Sequence, residues 1–217
     1  MSFSLGRGET LGIIGATGSG KTTLVNLLLR LYDVDEGGIY IGGRNVKSIP
    51  KDELYSMFGV AFQNDFLFRG NLRENIEFHR EISDDELDNS LKISQAEEFV
   101  LAEEKEIQRE VTTGGTNLSG GQKQRTLIAR AVLGNPDIII LDDSSSALDY
   151  KTDLKLRRSI KESLKTTTVI VSQRIASIMS ADKIIVIDEG KIVGIGKHGE
   201  LLETCDMYKQ IANVQFC

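Results

Sequence analysis

The chain has 217 residues, 40% of them hydrophobic, and is long enough to bury one core. Its formal net charge of −6 argues against binding to nucleic acid or to an anionic membrane surface. The two cysteines, Cys205 and Cys217, lack the spacing of metal ligands, which suits a reducing compartment. Because no apolar run approaches the roughly 18 residues that cross a bilayer, we expect no membrane span in this chain.

The first five residues have the pattern of the end of a strand. Polar and apolar side chains alternate there, with Phe3 and Leu5 on one face, and the glycines at 6 and 8 predict a turn into the next strand. No partner strand precedes them. We therefore expect Met1 to mark a fragment boundary, with the N-terminal strand or strands of the domain lying before it.

Strand and helix signals alternate along the rest of the chain. Short apolar runs predict strands at 10–14, 39–41, 59–62, 138–141, 168–171 and 183–187, with a last β-segment at 192–195. Apolar side chains at helical spacing predict helices at 21–31, 84–104, 121–133, 153–164 and 199–211. The alternation predicts an α/β core with a mostly parallel sheet and small antiparallel β-segments. Residues 64–117, rich in helix signal, predict an inserted helical lobe.

The segment between the first strand and the first helix is glycine-rich and contains one lysine. It fits the pattern G-x-x-x-x-G-K-[ST] in the strand–loop–helix context of a phosphate-binding loop. Its glycines let backbone N–H groups wrap a β-phosphate, Lys21 can reach the β- and γ-phosphates, and the Thr22 hydroxyl can bind Mg²⁺. An ordinary glycine-rich turn is the alternative. The residues predicted to hold a nucleotide are Gly15, Ala16, Thr17, Gly18, Ser19, Gly20, Lys21, Thr22 and Thr23.

Asp142 is the second candidate for metal binding. It directly follows the buried strand 138–141, so its carboxylate is expected at the carboxyl edge of the sheet. Taken alone, an apolar strand that ends in Asp is common. With a phosphate loop in the same chain, we expect Asp142 to hold Mg²⁺ directly or through water.

A second glycine-rich segment lies about a hundred residues after the first and runs Leu118, Ser119, Gly120, Gly121, Gln122. By itself this segment reads as a helix N-cap. Here it stands with Gln63, which follows a predicted strand, and with the segment Ser146-Ala147-Leu148-Asp149, just past Asp142. Together with the phosphate loop, these motifs resemble the signature, Q-loop and D-loop of ATP-binding cassette (ABC) ATPases.

The resemblance covers nearly the whole chain and implies a P-loop NTPase (RecA-like) fold that binds ATP and Mg²⁺. It divides the chain into a core of residues 1–63 and 128–217 and a helical subdomain, 64–127, with the signature motif. Gln63 would take part in metal binding and catalysis, and Asp149 in nucleotide binding. Two cassettes are expected to dimerise head to tail, so that residues 118–122 contact the ATP of the partner.

Residues 62–76 resemble the nucleotide-binding domains of ABC exporters, in which this region touches the transmembrane domain. Phe66, Leu67 and Phe68 could instead be ordinary core residues. Three adjacent apolar side chains cannot all point inward from one regular element, so we expect at least one at an interface. The implied setting is the cytoplasmic face of the cell membrane, where a separate transmembrane domain, absent from this chain, exports a substrate.

Two positions depart from the family pattern. Asp143 stands where the family has a glutamate general base, and the shorter side chain draws the carboxylate back by about 1.5 Å. Gln173 stands where the family has a switch histidine, and glutamine cannot shuttle a proton. Neutral drift could explain either change alone. Both together resemble the degenerate site of heterodimeric exporters, which binds ATP firmly and hydrolyses it slowly.

Three functions therefore remain open from the sequence. The first is the ATPase domain of an exporter, as one half of a heterodimer. The second is a regulatory module in which ATP clamps the dimer with little turnover. The third, a soluble ABC ATPase that acts on DNA or ribosomes, is disfavoured by the acidic charge and by the exporter-like segment.

Overall fold

The computed structural model describes residues 1–100, 106–144 and 146–216. In chain order the strands are β1 (Thr10–Ile14), β2 (Tyr40–Ile41), β3 (Arg44–Asn45), β4 (Phe58–Ala61), β5 (Gly70–Asn71), β6 (Glu110–Val111), β7 (Ile138–Asp142), β8 (Thr167–Val171), β9 (Lys183–Asp188) and β10 (Lys191–Gly196). The helices are α1 (Lys21–Leu28), α2 (Lys51–Ser56), α3 (Leu72–Glu77), α4 (Asp84–Ile93), α5 (Glu97–Val100), α6 (Gly120–Val132), α7 (Tyr150–Ser163), α8 (Ile175–Ile178), α9 (His198–Thr204) and α10 (Asp206–Phe216).

These residues form two compact units. The first comprises residues 1–58 and the chain from Thr167 onward, and the second comprises residues 59–166. The predicted division into a core and a helical subdomain at 64–127 stays a prediction.

The first unit is built on strands in the order β10, β9, β1, β8. β1 pairs in parallel with both β8 and β9, and β10 runs antiparallel to β9. β1 is a near-continuous apolar run because both faces of a central parallel strand are covered. Helices α8, α9 and α10 cover one apolar cluster of this unit, whose members include Ile14, Ile178, Ile184, Leu201 and Tyr208.

The second unit contains the neighbouring strands β7 and β4 and the helices α3 to α7. One apolar cluster joins α6 to α3 and α4, and another joins α6 to α7, β4 and β7. β4 passes so close to α6 that a Cβ on Gly59 would lie 1.8 Å from the carbonyl oxygen of Ala131. Only glycine fits this crossing.

The expected fold class is confirmed. The sheet is mostly parallel, and β2–β3 and β5–β6 form small antiparallel ladders. The strand at 10–14 has the predicted bounds. Among the described residues, no helix is both long enough and apolar enough to cross a membrane.

Three local expectations were wrong. Residues 1–5 form no strand. The helix predicted at 84–104 ends at Ile93, because Gln95 adopts a left-handed backbone (φ 59°) before α5 begins; residues 101–104 lie outside the described chain. The helix predicted at 199–211 is two helices, since Cys205 is extended and separates α9 from α10.

We expect Gly59→Ala to destabilise the protein by about 1–3 kcal/mol, because the added methyl group forces β4 away from α6. Urea unfolding followed by circular dichroism measures the change. Gly199→Ala is the matched control: Gly199 lies in α9 with open space around its Cβ position, so this variant is expected to be neutral or slightly stabilising. Equal stability of the two variants would contradict the close crossing.

Candidate functional site

The glycine-rich loop between β1 and α1 is held in one conformation by backbone contacts. The Ser19 amide donates to the Ala16 carbonyl (3.1 Å), and the Gly190 amide donates to the Ser19 carbonyl (2.9 Å). Gly20 is left-handed (φ 107°), as the turn into α1 requires. A Cβ on Gly15 would lie 2.1 Å from the carbonyl oxygen of Ile187. The loop is thus fixed against the end of β9.

The loop has the donors that an anion needs. Lys21 is buried, and its Nζ donates to the carbonyls of Gly15 (2.9 Å) and Ala16 (2.8 Å), which leaves one of its three protons for a ligand. The first turn of α1 has no acidic residue and no side-chain cap, so its N–H groups and the positive end of the helix dipole face outward. The arrangement can bind phosphate.

The residues present also fit a nucleotide with Mg²⁺. The Ser19 Oγ is buried and has no hydrogen-bond partner in the described chain, and a bound phosphate or water would satisfy it. Thr22 offers a hydroxyl in the same turn as Lys21. Among the residues that the structure describes, no cluster of three His, Cys, Asp or Glu side chains could hold a metal. A hydroxyl oxygen such as that of Thr22 suits Mg²⁺, which uses one or two protein ligands and takes the rest from phosphates and water.

The first unit brings Gln173 to the same edge as the phosphate loop. β1 and β8 run parallel with Ile13 paired to Val171, and the Ser172 amide donates to the Ile13 carbonyl (3.1 Å). Gly15 and Gln173 each lie two residues beyond these paired positions. Since parallel strands end at one edge of a sheet, the exposed Gln173 emerges beside the loop.

The second unit carries the two acidic candidates. Asp142 is the last residue of β7 and is 3% exposed. Asp143 follows in a left-handed conformation (φ 47°), and its carbonyl accepts from the Ser146 amide (3.2 Å). A non-glycine residue at positive φ costs roughly 1 kcal/mol, so this turn is held in a strained state.

Ser119 caps helix α6, as the isolated pattern predicted. Its Oγ accepts from the Gln122 amide (3.2 Å), and the Gln122 side chain accepts from the Ser119 amide (3.0 Å), which completes a capping box. The neighbouring glycines let the D-loop approach, because a Cβ on Gly120 would lie 3.3 Å from the Ala147 Cβ. Leu118 is buried at the edge of this unit's core.

The side chain of Gln124 makes two hydrogen bonds that the sequence did not reveal. From α6, its Oε1 accepts from the Ala147 amide (2.8 Å) and its Nε2 donates to the Ser146 hydroxyl (3.1 Å). The side chain therefore ties the signature helix to the D-loop. A glutamine two residues after the signature gave no signal of this role, because its partners lie more than 20 residues away.

Asp149 is the N-cap of α7. Its carboxylate accepts from the Thr152 hydroxyl (2.7 Å) and amide (3.0 Å). These bonds hold the pKa of Asp149 below its usual range. Its predicted part in nucleotide binding stays a prediction.

Gln63 is exposed two residues after β4, and lines a cavity of about 340 Å³ in the second unit. Lys123 and Gln124 of α6 and Ser144 also line it. The Ser144 Oγ is buried without a hydrogen-bond partner in the described chain, so the cavity is polar enough for water.

The three adjacent apolar residues after Gln63 point in different directions. Leu67 is fully buried, whereas Phe66 and Phe68 are 50% and 41% exposed. Arg130 lies over the rings of Phe68 and Phe78, at 5.7 and 4.8 Å from their centroids, and donates to the Phe66 carbonyl. The exposed aromatic surface is therefore backed by contacts with Arg130.

Comparison with known proteins gives the family. The family model described as ABC transporter matches residues 1–146. Over its full length the chain is 42% identical to an uncharacterized ABC transporter ATP-binding protein, YfiB, of Bacillus subtilis, and 36% identical to an ATP-dependent lipid A-core flippase of Photobacterium profundum. A solved bacterial Atm1-family ABC exporter with ATP bound is 31% identical over 97% of the chain, with a TM-score of 0.93.

The fold and the phosphate loop thus define an α/β P-loop NTPase. The chain belongs to the ABC transporter family, whose ATPase domains bind ATP with Mg²⁺. It spans 38% of the length of the Bacillus protein and of the solved exporter, and 37% of the length of the flippase.

We expect Lys21→Ala to weaken ATP binding by about ten- to a hundredfold, the effect of losing a charge-assisted hydrogen bond. Isothermal titration calorimetry with ATP and Mg²⁺ measures it. Lys51→Ala, which removes an exposed lysine at the start of α2, is the control and should bind like the parent chain. Unchanged affinity of Lys21→Ala would contradict the assignment of the loop.

Proposed function

We propose that this chain is the ATP-binding and ATP-hydrolysing domain of an ABC exporter, and that it powers export through a partner transmembrane domain at the cytoplasmic face of the membrane. The observation that carries the proposal is the shared edge at which the phosphate loop and Gln173 emerge from paired strands. The similarity to a lipid A-core flippase and to an Atm1-family exporter supports the exporter class.

Each site residue has a defined task in this proposal. Residues 15–23 bind the phosphates, with Lys21 on the β- and γ-phosphates, and Thr22, Gln63 and Asp142 are the protein side chains that hold Mg²⁺. Mg²⁺ held there would neutralise charge on the phosphate oxygens. Asp143 accepts a proton from the attacking water, and Gln173 hydrogen-bonds the γ-phosphate.

Hydrolysis at this chain's own site is slow. The Asp143 carboxylate is one methylene short of the family's glutamate, and misplacement by about 1 Å can cost a hundredfold in rate. Gln173 donates a hydrogen bond but carries no charge and passes no proton. Both changes slow hydrolysis and leave phosphate binding intact. They therefore support a site that binds ATP firmly and hydrolyses it slowly.

The signature motif serves the ATP of a second, different ABC ATPase domain in a head-to-tail dimer. Ser119 is exposed at the start of a 13-residue helix, where its hydroxyl and the positive end of the helix dipole favour an anion. A regulatory clamp is the alternative function: ATP bound at the slow site would hold the dimer closed, because a ligand shared across the interface stabilises association. The same two departures from the family pattern, at Asp143 and Gln173, favour the regulatory clamp.

The exposed surface of Phe66 and Phe68 contacts the transmembrane domain. These two large, adjacent apolar side chains are exposed, and Arg130 donates to the Phe66 carbonyl beneath them, so they form a surface suited to an apolar partner segment.

We expect the chain alone to hydrolyse ATP slowly, and Asp143→Glu combined with Gln173→His to raise turnover at least about tenfold in a dimer, because the pair restores the general base and the switch histidine. Phosphate release measures turnover. Asp143→Asn with Gln173→His is the control and should stay slow. Fast hydrolysis by the parent chain would contradict the proposal that its own site hydrolyses ATP slowly.

Ser119→Asp separates the capping role from the phosphate role. Aspartate caps a helix as well as serine, so the fold should survive, while its negative charge repels a γ-phosphate. We expect loss of ATP-dependent dimerisation, measured by light scattering. Ser83→Asp, at the equivalent capping box of α4, is the matched control and should leave dimerisation intact. If Ser119→Asp dimerises normally, the signature does not contact ATP.

A further inference from the structure

The side chain of Gln215 bridges the backbone on both sides of Arg174. Its Nε2 donates to the Gln173 carbonyl (2.6 Å), and its Oε1 accepts from the Ile175 amide (2.8 Å). A primary amide carries one donor group and one acceptor, so a single side chain satisfies two backbone groups of the turn between β8 and α8. Gln215 lies about 40 residues along the chain, in the last turn of α10.

Helix α10, which carries Gln215, is packed against the core of the first unit. Tyr208 and Ala212 are buried in the same apolar cluster as Ile175 and Ile178 of α8. The Tyr208 hydroxyl also contacts His198 Nδ1 of α9 at 2.8 Å. The position of Gln215 is therefore set by core packing, although its own side chain is exposed.

The bridge acts on the residue that leaves the sheet at the same edge as the phosphate loop. The Arg174 amide donates to the Ser172 hydroxyl (3.0 Å), so the side chains of Ser172 and Gln215 add to the bond from the Ser172 amide to the Ile13 carbonyl in holding this turn. Gln173 is exposed at this turn. Because a side chain projects from its own backbone, whatever holds the backbone of Gln173 also sets the direction of its Cα–Cβ bond and so the region that its amide can reach.

We propose that Gln215 is a positioning residue, which holds Gln173 in the orientation that contacts the γ-phosphate of bound ATP. This inference rests on the proposed role of Gln173. Loss of the bridge removes one hydrogen bond from the Gln173 carbonyl and one from the Ile175 amide, so the turn is less ordered and its contact with the γ-phosphate is weaker. ADP lacks the γ-phosphate, so its binding does not depend on the bridge.

The test compares ATP and ADP affinity, each with Mg²⁺, by isothermal titration calorimetry on the 217-residue chain. We expect Gln215→Ala to weaken ATP binding about 3- to 10-fold, the worth of an ordinary hydrogen bond, and ADP binding less than about 2-fold. Gln215→Glu, which turns the donor toward Gln173 into an acceptor, should weaken ATP binding at least as much. Gln210→Ala, an exposed glutamine of the same helix, should change neither affinity.

A double-mutant cycle with Gln173→Ala decides the mechanism. If Gln215 acts through Gln173, adding Gln215→Ala to Gln173→Ala has no further effect on ATP affinity. An additive loss would overturn the inference, because Gln215 would then act elsewhere. A loss with Gln173→Ala but none with Gln215→Ala would overturn the inference alone and leave the proposed role of Gln173 standing. No loss with either variant would overturn both.

Discussion

The parallel pairing of β1 with β8 and β9 is the constraint on which the site depends. Parallel strands carry their carboxyl ends to one edge of the sheet, so the loop after β1 and the turn after β8 leave the sheet side by side. Burial of β1 between two neighbours fixes its register. The register in turn places Gly15 and Gln173 at the same level along the strand direction, each two residues beyond a paired position. Contact of Gly15 with the carbonyl of Ile187 then closes the loop against β9.

Functional loops must leave regular structure to expose N–H groups, and their other backbone groups then need partners. In this protein glutamine side chains are hydrogen-bond partners for several such backbone groups. Gln122 closes the cap of the signature helix, Gln124 ties that helix to the D-loop, and Gln215 bridges the turn that carries Gln173. An amide suits the task because it donates and accepts at once, without a charge that would compete with phosphate or metal.

In the proposed dimer, one chain would therefore perform two unlike tasks. Its phosphate loop has the lysine, the glycines and the open helix end that would bind ATP. The proposed slow hydrolysis rests on Asp143, which is one methylene shorter than the family's glutamate, and on the uncharged Gln173. Its signature keeps the serine cap and both glycines. The positive φ of Asp143 shows that the backbone which carries this short carboxylate is held in a strained turn.

The sequence by itself determined the fold class, the strand at 10–14 and the phosphate loop, because these follow from local spacing and from the steric demands of glycine and lysine. It also identified Ser119 as a cap, since a capping box spans only about four residues. Only the tertiary structure decided where the helix after Ser83 ends, that Cys205 separates two helices, and that Gln124 and Gln215 bridge loops. Those features depend on backbone groups that lie far apart along the chain, and no local pattern records which distant groups the folded core brings together.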